Sequence, residues 1–149
     1  MLQRKQTLYL LCAIICTFVG SILPIGYITP EGMGTDMIVY QLFIKADCNS
    51  YSPWPLFALM LCTYPLAISA IFMYKNRKKQ AKLCTIAVAL YILWYAYYIY
   101  AAMAIFSKLG TFSFSYVALL PALAIIFYLL ARRGIINDEK LIRSVDRIR

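Results

Sequence analysis

Four stretches of this chain, residues 8–28, 55–74, 83–106 and 112–131, contain no Asp, Glu, Lys or Arg. Each is long enough to carry a helix across about 30 Å of hydrocarbon, which takes about 20 apolar residues. The third, at 24 residues, is long enough to cross with a tilt. A helix half-exposed to water would show a polar stripe at a period of 3.6 residues. A strand of a membrane barrel would alternate polar and apolar positions over about 10 residues. These runs do neither; they are apolar on every face. The composition agrees, with 63% hydrophobic and 14% charged residues against about 45–50% and about 25% in soluble domains. The sequence therefore predicts an all-α integral membrane protein: one domain over residues 1–149, built as a four-helix transmembrane bundle.

The basic residues orient it. The N-terminal tail carries Arg4 and Lys5, the loop 75–82 carries Lys75, Arg77, Lys78, Lys79 and Lys82, and the tail 132–149 carries six more. The loop 29–54 has Lys45 alone and the short loop after the third run has Lys108, so thirteen bases lie on one side and two on the other. Lys and Arg stay on the cytoplasmic side of a membrane, which puts both termini in the cytoplasm. The net charge of +9 then follows from topology and implies no nucleic acid. The first run is longer than the 7–15 apolar residues of a signal peptide and no small-residue cleavage pattern follows it, so it is expected to be retained.

The third run is dense in aromatics: Tyr91, Trp94, Tyr95, Tyr97, Tyr98 and Tyr100. A tyrosine hydroxyl in hydrocarbon needs a partner. Tyr91, Trp94, Tyr95 and Tyr98 are therefore expected in the bundle interior, with Tyr97 on another face. Acceptors on offer are Thr17, Ser21, Thr63 and Ser69, or the carbonyls of Leu61 and Val117, which Pro65 and Pro121 deprive of their helical donors. Helix packing explains such a face, since aromatics at helical spacing usually build core. A pocket for a lipid or quinone tail is the functional alternative.

The tail 132–149 reads as a separate amphipathic helix. Asn137 can cap it, Asp138 and Glu139 suit its first turn, and Leu141, Ile142, Val145 and Ile148 make one apolar stripe. Lys140, Arg143 and Arg147 form the opposite, basic face. Such a helix can lie on the anionic inner leaflet or dock on a cytoplasmic partner. The loop bases Lys75, Arg77, Lys78 and Lys79 are orientation signals that can also meet anionic lipid. The outer loop 29–54 contains an apolar stretch over residues 37–44 that reads equally as strand, helix or interfacial lid. Its only cysteine, Cys48, has no partner within the loop and could pair with another chain.

No histidine occurs anywhere and no acid in any span. Catalytic residues, a metal site, a cofactor and a proton relay are accordingly not expected. The two ends, residues 2–11 and the Arg132-Arg133-Gly134 segment continuing to Arg147, resemble the termini of the domain of unknown function 4293 family. Those are small four-span inner-membrane proteins of Bacteroidota-type bacteria. The resemblance implies the same layout in a bacterial inner membrane and supplies no activity or catalytic residue. The expected role is that of a structural or accessory subunit of a membrane complex, with a membrane-protein partner or self-association. Binding a small hydrophobic ligand through the third span is the alternative.

Overall fold

The computed structural model describes residues 5–30, 35–45, 52–73 and 76–146. Four helices dominate it: α1 (Lys5–Ile22), α2 (Trp54–Phe72), α3 (Arg77–Ala104) and α4 (Leu120–Asp146). Four short strands join them: β1 (Gly26–Thr29), β2 (Met37–Val39), β3 (Ile44–Lys45) and β4 (Thr111–Phe114).

The buried positions fall at alternating spacings of three and four on every helix. They are Gln6, Leu10, Ala13, Thr17 and Gly20 on α1, and Leu56, Met60, Thr63, Ala67 and Ala70 on α2. On α3 they are Gln80, Cys84, Ala87, Tyr91, Trp94, Tyr98 and Ala101, with Ala102 buried beside the last; on α4, Pro121, Ala124, Tyr128, Ala131 and Ile135. This is the seam of helices that cross at a shallow angle and interdigitate. Many of these residues are small, which lets backbones approach where lipid offers no hydrophobic drive for association. Helix α1 lies along α4, α4 along α3, α3 along α2, and a lighter contact between α2 and α1 closes the ring. The α1–α4 pair is antiparallel and in step: Gly20 packs on Leu120 and Gln6 on Gly134.

Where α1 stops, the chain becomes sheet. Pro24 has no N–H to continue the helix, and β1 pairs antiparallel with β2 on one side and with β4 on the other. The sheet order is β3-β2-β1-β4. It caps one end of the bundle, burying Ile25, Ile28, Val39 and Ile44 against it. Gly110 turns the chain into β4 with φ at +151°, and a Cβ there would lie 2.3 Å from the Thr29 carbonyl oxygen. Replacing Gly110 with alanine should therefore loosen β4 from β1, costing on the order of 1–2 kcal/mol. Faster amide exchange across residues 111–114, with α2 unchanged, is the expected readout.

Several sequence-derived boundaries move. The first run is helix only to Ile22, and its last residues are strand. The fourth run opens with β4 and a 3-10 turn (Tyr116–Leu119) before α4 begins. The basic stretch is not a loop from Arg77 onward but the first turns of α3, capped by the Asn76 side chain, which accepts from the Lys79 N–H at 3.5 Å. The tail is not a separate helix either: α4 runs unbroken to Asp146, so Asn137 lies within it and caps nothing. Apolar residues continue past Arg133 as Ile135 and Ile136, and they pack the helix onward. Ile135 is fully buried, and no glycine-proline stop intervenes. In the outer loop, the strand reading is the one the structure adopts at residues 37–39 and 44–45.

Candidate functional site

The centre of the bundle is organised around Tyr91, which is fully buried. Its hydroxyl lies 2.5 Å from Thr17 Oγ1 on α1 and 3.3 Å from Thr63 Oγ1 on α2. Both threonines donate their own protons backward along their helices, Thr17 to the Ala13 carbonyl and Thr63 to that of Met60. Thr17 therefore accepts, and the single Tyr91 proton goes to it, with Thr63 at the longer distance. Its ring meets that of Tyr128 on α4, with centroids 5.8 Å apart. One side chain thus touches the other three helices, and a tyrosine is what such a layer requires: a large ring with one donor at its tip. Close by, Tyr64 donates to Ser21 at 3.2 Å, because Ser21 gives its proton to the Phe18 carbonyl.

One turn further toward the sheet, Trp94 fills the core, stacking on Tyr98 and meeting Tyr95 edge-on, each at 5.1 Å between centroids. Tyr98 donates to the Ile25 carbonyl at 2.6 Å, an oxygen that also accepts from the Ser115 N–H. Tyr95 donates to the Ala118 carbonyl at 2.7 Å. Of the acceptors expected from sequence, Thr17 and Thr63 serve Tyr91. Ser21 instead serves Tyr64, and the carbonyls used are those of Ala118 and Ile25, not Leu61 or Val117.

The inward face of α3 is Tyr91, Trp94 and Tyr98; Tyr95 sits at its flank and is half-buried. Tyr97 is half-buried too, beside Leu59 and Leu93 in a furrow between α2 and α3. The expected contrast between Tyr95 and Tyr97 is therefore smaller than the contrast between either and Tyr91.

Sequence reasoning missed Gln41. It is fully buried and donates from Nε2 to the Gly20 carbonyl at 2.7 Å. The signal was present: Pro24 removes the helical donor of the residue four positions earlier, and that residue is Gly20. The segment between β2 and β3, in the sheet that lids this end of the bundle, supplies the missing donor. Gln41 Oε1 and Trp94 Nε1 have no hydrogen-bond partner among the described residues.

Beside these rings, on the flank of the bundle, lies a groove of about 340 Å³. Tyr95 and Tyr98 line it from α3; Phe114, Tyr116, Ala118 and Leu119 line it from β4 and the turn before α4.

At the opposite end the helices are tied by polar contacts. Gln6 donates to an Asp138 carboxylate oxygen at 2.6 Å, and Arg77 to the Asp138 backbone carbonyl at 2.7 Å. The residue assigned from sequence to a helix first turn thus joins α1, α3 and α4. Lys78, Lys79, Lys82, Arg132 and Arg133 are exposed around this latch. Lys140 and Arg143 lie on the last turns of α4. Lys75, Arg147 and Cys48 fall outside the described residues. The other cysteines, Cys12, Cys16, Cys62 and Cys84, are free thiols.

Three helical segments, Trp54–Phe72, Arg77–Lys108 and Tyr116–Glu139, are long and apolar enough to cross a membrane, and Gln6–Ile22 is a shorter apolar helix. The protein is thus of the multi-pass membrane class. The chain belongs to the DUF4293 family, a domain of unknown function, whose family model matches residues 2–148. No curated protein matches the chain.

Proposed function

We propose that the chain is a four-span protein of the bacterial inner membrane, with both termini in the cytoplasm, and that it serves as a structural or accessory subunit of a membrane complex. The observation carrying this reading is the core itself. Its hydroxyl groups (Thr17, Thr63, Tyr91, Tyr95, Tyr98) hydrogen-bond within the bundle, and most of the other buried residues pack through apolar surface. A bundle of this kind offers surfaces rather than reactive groups, so the reading is non-enzymatic.

The fourth span is α1. At 18 residues it is about 27 Å long at 1.5 Å per residue, slightly short of the hydrocarbon. Its in-step packing on α4 from Gln6 to Gly20 supports a shared crossing. The extended residues after Ile22 supply the remaining length. The basic end, with Arg77, Lys78, Lys79, Arg132 and Arg133, faces the cytoplasm and the anionic leaflet. Because α4 continues unbroken, its last turns, with Lys140 and Arg143, extend from this end as an arm. That favours docking on a cytoplasmic partner over lying flat on lipid.

Reporter fusions at Lys79 and at the C-terminus should read cytoplasmic, and one at Asn49 should read outside. A cytoplasmic signal at Asn49 would remove the four-span topology. Extraction in mild detergent should bring down a stoichiometric membrane-protein partner or a self-associated form. A chain that emerges as a lone monomer under every mild condition defeats the subunit reading.

A further inference from the structure

We propose that the groove between α3 and the start of α4 holds one acyl chain of a phospholipid from the outer leaflet. This goes beyond the subunit role and holds whether or not a protein partner exists. The groove lies along two helical segments that are long and apolar enough to span. It opens sideways, since Ile99, Leu119 and Tyr116 at its margin are 48%, 61% and 91% exposed. Its inner end is Ala118, whose small side chain leaves the space that a larger residue would fill. At about 340 Å³ it stands at the small end of ligand pockets, which run to about 1,000 Å³.

The chemistry of the lining selects the occupant. Both tyrosine hydroxyls on the floor are committed, that of Tyr95 to the Ala118 carbonyl and that of Tyr98 to the Ile25 carbonyl. The other lining hydroxyls are that of Ser115, whose Oγ accepts from the Val117 N–H at 3.4 Å, and that of Tyr116 at the exposed rim, so the two floor rings offer a polar ring no donor. No lining residue is charged, so a lipid headgroup has no counterion inside. A plain hydrocarbon chain demands nothing that the groove lacks, and the surrounding leaflet supplies it at high local concentration. Tyr116 at the margin is placed where an aromatic ring sits at headgroup level. The glycerol end of the lipid leaves the groove there. Selectivity should follow the chain and ignore the headgroup.

Trp94 is a built-in reporter. It is 1% exposed, and a chain in the groove lies against the Tyr95 and Tyr98 rings that Trp94 contacts. The chain has two tryptophans, so Trp54→Phe leaves Trp94 alone. The full-length Trp54→Phe protein is placed in bilayers with rising fractions of phosphatidylcholine brominated on its acyl chains. Trp94 emission should fall in direct proportion to the brominated fraction, as exchange of one chain at one site requires, and brominated phosphatidylglycerol should give the same line. Adding Ala118→Leu, which fills space beside the Tyr95 and Tyr98 rings, or Ile99→Phe, which narrows the exposed mouth, should remove most of this quenching while helicity and melting are kept. Ile99 is on the surface, so this variant decides the matter if Ala118→Leu fails to fold. Quenching that is equal in all variants, or that bends as it does when several lipids act together, would overturn the proposal, because only bulk lipid would then be in reach. Quenching that follows the headgroup would overturn it as well. So would a parent protein that is dimeric where Ile99→Phe is monomeric, since the groove would then hold a second copy.

Discussion

Replacing Tyr91 with alanine is expected to loosen all four helices together. Truncating a buried aromatic in a water-soluble core costs about 3–5 kcal/mol, part of it transfer from water and part the cavity left behind. In a bilayer the transfer part falls away, because the separated helices rest in lipid as apolar as the core. The cavity part stays, so about 2–3 kcal/mol is expected here. Tyr91 touches Thr17, Thr63 and Tyr128 on three different helices, so no single pair can move in to close the hole. The Tyr91→Phe change keeps the ring and removes the donor. It should cost only about 1 kcal/mol, since Thr17 and Thr63 still bond their own helices. Thermal melts in detergent read both. Tyr97→Ala, at the half-buried furrow, should fall well below Tyr91→Ala. Equal losses at positions 91 and 97 would mean that the layer does not organise the bundle.

That layer was only partly legible in the sequence. Charge-free runs of sufficient length announced helices and spans, because the cost of stranding backbone in lipid leaves little choice. The tyrosines announced an interior face for the same reason. What periodicity alone misjudged was the width of that face. Tyr91, Trp94, Tyr95 and Tyr98 fit one side of an isolated helix, yet the shallow crossing selects the narrower seam of Tyr91, Trp94 and Tyr98. The sheet was hidden for a different reason. Residues 23–28 carry no charge and continue the first apolar run, so hydropathy does not separate strand from span there. Phe112-Ser113-Phe114-Ser115, in contrast, alternates apolar and polar, a strand signal masked by the charge-free run that contains it. Pro24 and Gly110 were the local signals, and they act through backbone geometry rather than polarity. The tail failed in the opposite sense. Asn137 followed by two acids looks like a helix start, but with Ile135 anchored in the core the helix has no cause to stop before it.

Gln41 carries the second large effect, at the lid. The Gly20 carbonyl has lost its helical donor to Pro24, and Gln41 Nε2 replaces it at 2.7 Å in a site closed to water. In Gln41→Leu that oxygen stays buried and unpaired, at a cost of about 1–3 kcal/mol. The loss is local, because β2 otherwise holds the lid through three residue pairs with β1 and two with β3. Opening of residues 37–45 should therefore rise about fivefold to a hundredfold, at about 1.4 kcal/mol per decade. Amide exchange at Met37–Val39 should quicken while the amides around Tyr91 keep their protection. The Gln41→Glu change separates donor from shape. Its carboxyl can donate to Gly20 only while protonated, and burial disfavours the charged form, so the folded state holds that proton more tightly than the unfolded chain does. The lid contact is then complete at low pH and is lost as pH rises through the raised folded value. Exchange at Met37–Val39 should accordingly climb with pH in Gln41→Glu, beyond the intrinsic rise, and show no such excess in the parent or in Gln41→Leu. Lid exchange that is unchanged in Gln41→Leu would mean that strand pairing alone holds the segment down.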